Sequence, residues 1–422
     1  MAGAQSARIK HRNVKRIGLV LICCSLITGS LTSASANSPA SCASLRSMAR
    51  VYMASGGYAK AQPFLEKALH MARETNVPET EASACMLDLA YLYKNQGKLA
   101  AAEVMCQSGL ALQQKAYHHN HPYVAHTLRI LSEIYRRQAR YPEAASALER
   151  AIVIVRDVGR ADDLELAPFQ VDMARLLVAQ GAFAYAESYF NSAIETIEEN
   201  YGPEHFYTAK VLASMAELYV LLERYTQAET LISRALPIQE RIYGPDHYLL
   251  VPIWLTASRI HQAKGDLENA RVFIDKSLNA VENHAGPEYL IQCDVWIRLG
   301  EFHVLSKEYQ KAEEAFQKVL QILETKENAH SDRMAIALNN LAKVYVDQGH
   351  YSKARPLCLR GLDLLESVYE QDHPKVADVL ETLVQLHEQT GNMAEATKLK
   401  QRIEEIRMQQ QVVPVPVATA ME

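Results

Sequence analysis

The apolar and small side chains of this chain recur at a fixed interval. Nine alanines mark the interval, with a first spacing of 41 residues and later spacings of 42 residues. We call them the ruler alanines and number units one to nine after them: Ala61, Ala102, Ala144, Ala186, Ala228, Ala270, Ala312, Ala354 and Ala396. A period of about 20 to 50 residues indicates one supersecondary unit that is stacked many times.

Around each ruler alanine the apolar positions follow a helical repeat. Bulky residues stand three before it, apolar residues mostly occupy the positions 13 and 16 before it, and leucine or isoleucine stands eight after it in units one to eight. Separations of three, four and seven residues place side chains on one face of an α-helix. The position twelve before the ruler alanine is small in eight units: Ala49, Ala90, Ser132, Ala174, Ala216, Ser258, Gly300 and Ala342. Small side chains there let two helices approach closely, and a larger one would overpack the contact.

Glycines separate the two apolar blocks in most units, where the end of a helix favours a left-handed residue. They include Gly97, Gly181, Gly265, Gly349 and Gly391. Each unit is therefore predicted to contain helix A, a tight turn, helix B and a loop. The sequence predicts an all-α protein, a right-handed α-solenoid of about nine helix pairs over residues 41–407.

The loop before helix A has a recurring sequence. It reads YGPEH at 201–205, YGPDH at 243–247, HNHP at 119–122 and QDHP at 371–374. Pro122 and Pro374 suit an early helical position. We expect the acidic or amide side chain of the loop to lie near the start of the next helix and cap it.

The small, tyrosine and glycine positions resemble the tetratricopeptide repeat, and the 42-residue spacing resembles its longer form in kinesin light chains and many bacterial proteins. The stretch 337–366 is nearest to that pattern. The resemblance implies a stacked helical scaffold with a protein or peptide partner. In kinesin light chains, asparagines of the A helices hold extended cargo peptides. Only Asn339 and Asn340 match here, so that ligand does not carry over.

In this repeat class the A helices line the concave side, at positions 15, 11 and 8 before the ruler alanine. The charge alternates in sign along the middle row from Glu133 to Lys343. The complete row is Arg50, Tyr91, Glu133, Arg175, Glu217, Arg259, Glu301, Lys343 and Gln385. We expect an inter-repeat ion ladder that leaves the face electrically neutral. A mixed-charge strip that binds a ligand is the alternative.

The rows on either side of the charged row are apolar in the central units. They either seal neighbouring A helices or form a floor for an apolar peptide or helix. The candidate partner-binding residues, in units four to eight, are Val171, Ala213, Leu255, Ile297, Val178, Val220, Val304, Val346, Arg175, Glu217, Arg259, Glu301, Lys343 and Asn339.

Composition and motifs argue against two large classes of function. The net charge of −5 provides no basic field for nucleic acid. The sequence also contains no Gly-rich phosphate loop, GxSxG, HExxH or CxxC motif. We therefore expect no enzymatic activity and no cofactor.

The histidines and cysteines fall at structural positions. A loop with His118, His119 and His121 is the best metal candidate, but a solvated loop is the favoured interpretation. Histidines 23 before the ruler alanine occur once per unit and predict repeated loop packing: His121, His205, His247 and His373. Of the five cysteines after residue 36, Cys85, Cys106 and Cys358 occupy core rows. We expect these five to be buried thiols without a disulfide framework.

The termini lie outside the repeat. Basic residues precede an apolar run at 17–31, and Ala34-Ser35-Ala36 is a small-x-small cleavage pattern. Residues 1–36 are therefore predicted to be a signal peptide, which would make the protein secreted or periplasmic. A membrane anchor formed by 17–31 and an organellar transit peptide are the alternatives. Residues 408–422 are predicted to be a disordered tail.

The sequence thus predicts a non-enzymatic, exported scaffold that binds a helix or an extended peptide on its concave face. Two other roles stay open. The protein could be a structural part of an envelope or secretion complex that uses its edges and convex surface. It could also be a regulatory subunit or sensor attached to an enzyme.

Overall fold

The computed structural model describes residues 41–54, 57–75, 77–157, 165–283, 289–324, 331–369, 371 and 373–410. The predicted segment 1–36 and most of the predicted tail lie outside these residues. The described part of the chain forms eighteen α-helices, which pair as nine units. The A helices are α1 (Cys42–Ala54), α3 (Glu79–Asn95), α5 (Pro122–Arg137), α7 (Ala167–Ala179), α9 (Phe206–Leu221), α11 (Val251–Ala263), α13 (Tyr289–Leu305), α15 (Ser331–Asp347) and α17 (Pro374–Gln389). The B helices are α2 (Tyr58–Glu74), α4 (Leu99–Tyr117), α6 (Tyr141–Asp157), α8 (Phe183–Tyr201), α10 (Tyr225–Tyr243), α12 (Leu267–Asn283), α14 (Tyr309–Glu324), α16 (Tyr351–Val368) and α18 (Met393–Gln410).

Each A helix packs on the B helix of its own unit, each B helix packs on the next A helix, and neighbouring A helices also touch. One hydrophobic cluster runs without a break from Ala90 to Val295. The predicted all-α solenoid of nine helix pairs is therefore confirmed. The last helix ends at Gln410, three residues beyond the predicted boundary at 407. Among the described helices, none combines the length and apolar character needed to cross a membrane.

The ruler alanines of the B helices are fully covered by their neighbours. All nine are buried to at least 99%. Gly300 shows how little room remains twelve residues earlier, because a Cβ atom there would lie 2.5 Å from Cε1 of Phe316. The small residues are thus a steric requirement of the helix pair.

The turn between helices A and B uses a left-handed residue five before the ruler alanine. In units two to nine this residue has a φ between 57° and 80°. Glycine occupies five of these positions, while Ala139, Glu223 and Lys307 adopt the same conformation. The predicted left-handed turn is confirmed. Three units adopt this backbone conformation without glycine.

Histidine, rather than the acidic or amide residue we expected, caps the helical segment after the loop in four units. Each Nδ1 accepts the backbone N–H two residues later, at 3.2 Å in His121, 3.3 Å in His205, and 3.2 Å in both His247 and His373. Each ring also stacks on the tyrosine four residues earlier, with centroids 3.9 to 5.6 Å apart. The prediction of repeated loop packing is confirmed, and the predicted Asp/Asn cap is wrong. The tyrosine-x-x-x-histidine spacing was the signal for this cap.

The cysteines pack as apolar side chains. Cys42, Cys85, Cys106, Cys293 and Cys358 are all buried and free. Burial raises the pKa of the Cys106 thiol to about 12, so the reactive thiolate is suppressed. In the described part of the chain, no group of three or more His, Cys, Asp or Glu side chains is arranged to hold a metal ion.

We expect Gly300→Ala to destabilise the protein by about 1 to 3 kcal/mol, because the new methyl group collides with Phe316. Gly361→Ala is the matched control, since its Cβ would lie 3.6 Å or more from its neighbours and alanine favours a helix. Urea unfolding measures both variants. Equal stability of the two would contradict the steric argument.

We expect His205→Ala to cost about 1 kcal/mol because it removes the cap of α9, whereas His205→Asn should keep most of that stability. Hydrogen exchange at the Tyr207 amide is the local measurement, since that N–H is the one capped. Unchanged exchange in the alanine variant would show that the cap contributes nothing.

Candidate functional site

The predicted partner-binding residues lie on the A-helix face, which we define by the positions 18, 15, 14, 11, 8 and 7 before each ruler alanine. Its two apolar rows are largely covered. Ile297, Val220 and Val346 are buried. The half-buried members pack against the core clusters: Val171, Ala213, Leu255, Val178 and Val304. These contacts support the interpretation that the rows seal neighbouring helices, and they leave little apolar floor.

The charged row is the accessible part of this face. Arg175, Glu217 and Lys343 are exposed, and Arg259 and Glu301 are half-buried. Asn339 differs, because it is 4% exposed and its Nδ2 donates to the carbonyl of Asp378 at 3.2 Å. Asn339 therefore joins α15 to α17 and contributes little accessible surface.

The expected ion ladder along the charged row is wrong. Among the described residues, no ion pair joins two members of the row. Arg175 instead pairs with Asp172 of its own helix at 3.6 Å and donates to Ser214 Oγ of the next A helix at 2.9 Å. Glu301 pairs with Arg298, three residues earlier, at 2.7 Å. Two charged side chains three residues apart on one helix meet more easily than two on neighbouring helices, whose axes lie about 8 to 10 Å apart.

Among the described residues, Arg50 is the one member of the row in an ion pair between neighbouring A helices, with Asp88 at 3.0 Å, and the other bridging pairs use other positions. Arg46 contacts Asp88 at 2.6 Å, and Arg129 contacts Asp172 at 3.0 Å. Each pair joins the position 15 before one ruler alanine to the position 14 before the next. An arginine 42 or 43 residues ahead of an aspartate was the sequence signal for these bridges, and it lies outside the charged row.

Glu133 is the most strongly stabilised carboxylate of the face. Nε of Arg136 lies 2.8 Å and Nε of Arg137 2.9 Å from its oxygens. Burial acts to raise the pKa of Glu133, but these hydrogen bonds and charges lower it to about 2. Unit three therefore contains a charge cluster that is satisfied internally.

The stretch from unit five to unit eight has cations without an ionic partner. In the described residues, Lys210, Arg259 and Lys343 form no ion pair, although Lys210 lies 5.1 Å from the ring centre of Phe206. Burial, and then the charge of Arg175, lowers the pKa of Lys210. Burial also lowers the pKa of Arg298, with Glu301 opposing and Arg259 adding to the effect. A carboxylate placed here would relieve this repulsion.

Two carboxylates of the same stretch, Glu217 and Asp347, also stand without an ion pair among the described residues. The side chain of Glu217 is accessible to solvent, but the protein around it displaces part of the hydration of its carboxylate, and this desolvation raises its pKa while Arg175 and Arg259 oppose that shift. Three unpaired cations therefore share this stretch with two unpaired carboxylates, in a chain whose net charge is −5. The arrangement can attract anionic groups.

Glu133→Gln tests the internal charge cluster by its pH dependence. A carboxyl whose folded pKa is about 2, against an ordinary 4.5, adds stability above pH 4.5 and loses it as the pH falls toward 2. The variant should therefore be less stable than the wild type by on the order of 3 kcal/mol above pH 5, and the gap should close toward pH 2. Thermal unfolding across this range measures it. Glu143→Gln, which removes a more exposed pair with Arg140, should show a gap below about 1 kcal/mol.

Solved structures match this chain over much of their own length. A Rap protein complexed with competence and sporulation factor has a TM-score of 0.57 at 15% identity, covering 87% of this chain and 98% of that chain. BtubC (BKLC) from P. vanneervenii has a TM-score of 0.44 at 21% identity, covering 54% and 92%. Repeats of a putative kinesin light chain from Podospora anserina have a TM-score of 0.40 at 22% identity, covering 47% and 94%. No curated protein sequence matches the chain.

Family models match most of the chain. The MalT-like TPR region matches residues 31–200. The tetratricopeptide repeat matches 165–241, 207–283, 291–367 and 333–409, which together exceed half of the 422 residues. Successive overlapping matches are offset by 42 residues, the spacing of the ruler alanines. The chain belongs to the tetratricopeptide repeat family.

Proposed function

We propose that this protein binds an extended acidic segment of a partner protein along the A-helix face of units five to eight. The observation that carries the proposal is the set of cations without an ion pair there, Lys210, Arg259 and Lys343. Carboxylates of a partner would supply the missing counter-ions. Such complementarity accelerates association and selects against basic partners.

An extended segment fits this face better than a helix does. An amphipathic helix needs an apolar groove, and the apolar rows here are buried or half-buried between helices. Neighbouring helix axes lie about 8 to 10 Å apart, and an extended chain advances about 3.3 Å per residue. Acidic residues at every third position would therefore meet successive units.

Tetratricopeptide-type repeats are typical of protein–protein interaction scaffolds, so the proposed role is binding without catalysis. The Rap protein of similar fold was solved in complex with competence and sporulation factor. We also propose that the protein is exported, because of the basic, apolar and small-x-small order of residues 1–36. Cleavage after Ala36 would leave Asn37 as the first residue.

A synthetic peptide with aspartate at every third position, labelled for fluorescence anisotropy, tests the binding face. The double variant Arg259→Glu with Lys343→Glu should raise its Kd at least about tenfold. The matched control, Lys67→Glu with Lys318→Glu, makes the same change in net charge at exposed positions of B helices and should leave the Kd within about twofold. Equal losses in both variants would mean that only net charge matters and would overturn the proposed face.

A second peptide separates the two binding modes. It keeps the aspartates and places proline between them, which prevents a helix. An extended mode predicts similar affinity for both peptides. A loss of binding with the proline peptide alone would assign the face to helix recognition.

One observation favours the alternative role, in which the edges of the solenoid join it to a larger complex. Position 21 before the ruler alanine carries an exposed aromatic or aliphatic side chain in units three, five and six: Tyr123, Tyr207 and Leu249. A natural partner that both charge-reversal variants bind equally would be assigned to this loop edge.

A further inference from the structure

Units three and nine touch, although 236 residues separate the two atoms that meet. Nε2 of His373, at the start of α17, lies 3.1 Å from the carbonyl oxygen of Arg137, at the end of α5. Nδ1 of the same ring accepts the backbone N–H of Lys375, so the proton of the neutral ring is on Nε2. His373 therefore donates to Arg137 while it caps its own helix.

A second contact lies beside the first. Leu99 begins α4 in unit two, yet it is 4% exposed and belongs to the hydrophobic cluster of units seven to nine. The turns between helices A and B of the early units thus meet the loops that precede helix A in the late units. We call the two contacts together, His373 to Arg137 and Leu99 to the late cluster, the junction.

The junction is small and partly hollow. A cavity of about 510 Å³ lies within it, lined by Arg136 and Tyr141 on one side and by Asp294 and Asp332 on the other. The ionic side chains pair on their own sides, as Arg333 does with Asp294 at 2.7 Å and Arg137 with Glu133 at 2.9 Å. In the described part of the chain, no ion pair crosses the junction. Neighbouring units, in contrast, share a continuous apolar core.

The junction also borders the A-helix face. Arg136 and Asp294 line the cavity from A helices, at the positions 8 and 18 before their ruler alanines. Closing the junction therefore brings the early end of this face against its late end. Opening it would separate the two ends without breaking any contact between neighbouring units.

We propose that the junction is a releasable clasp that controls which partners reach the A-helix face. When the clasp is shut, an extended segment enters and a folded domain is excluded. When it is open, bulkier partners enter as well. The inference rests on the proposed function only in taking this face as the binding surface, and the clasp itself is tested without a partner.

Access to an introduced thiol tests the clasp. Glu217→Cys places it on the A-helix face, in full-length protein whose Cys23 and Cys24 are changed to serine. The five remaining cysteines are buried and provide an unreactive background. Two reagents are compared, N-ethylmaleimide and a maleimide that carries a long polyethylene glycol chain.

His373→Asn is the decisive variant, because asparagine can still cap α17 but is too short to do so and also reach Arg137. His205→Asn is the matched control, with the same cap and no junction. We expect His373→Asn to raise the rate with the large reagent at least about tenfold and to leave the rate with N-ethylmaleimide unchanged. The control should change neither rate. If the large reagent reacts equally with both variants, the clasp proposal is overturned.

A distance measurement tests directly whether the junction opens. Spin labels at Ala100→Cys and Gln371→Cys, two exposed positions on opposite sides of the junction, report its width by pulsed electron resonance. The distance distribution should broaden in His373→Asn and stay narrow in His205→Asn. An unchanged distribution would show that the junction does not open. Because neither experiment uses the acidic peptide, failure of the clasp is distinguishable from failure of the binding face.

Discussion

The close approach of helices A and B is the constraint on which the rest of the structure depends. Twelve residues before the ruler alanine of unit seven, even a Cβ atom at Gly300 would lie 2.5 Å from Cε1 of Phe316, so a side chain there would push the two helices apart. The constraint fixes the geometry of each pair, and the stacking of pairs then follows from the apolar rows on either side. Because every unit obeys it, apolar clusters follow one another along the stack, and one of them extends from Ala90 to Val295. The charged row is the part of the A-helix face that this arrangement leaves accessible.

Charges on the A-helix face divide into two groups according to their local partners. Glu133 and Arg136 are satisfied within one helix, and Arg46 and Asp88 are satisfied across two helices. These pairs hold neighbouring units in place. Cations such as Arg259 and Lys343 have no ionic partner among the described residues, and this difference, rather than total charge, is the basis of the proposed binding face.

The fold was predictable because its determinants repeat. A ruler alanine and a bulky residue three before it are local features that occur in nine copies, and the left-handed turn residue recurs in units two to nine. The caps were only partly predictable, because the capping group is a histidine Nδ1, whose ring stacks in all four cases on the tyrosine four residues earlier. Two ion pairs between neighbouring A helices were not predicted, because their side chains stand at positions 15 and 14 before the ruler alanine and not in the charged row at position 11. The junction had no local signal, since small rotations at six successive interfaces bring His373 to Arg137.

The junction changes how this linear array comes apart. An open stack of repeats loses its ends first, because a terminal unit has a neighbour on one side only. Here unit nine is also held by unit three, and Leu99 of unit two lies in the late cluster. Unit one is then the single end without a second support, and fraying of the described solenoid should proceed from α1 inward. A protease that attacks frayed helices would therefore digest the chain with a fixed direction, from its first unit to its last.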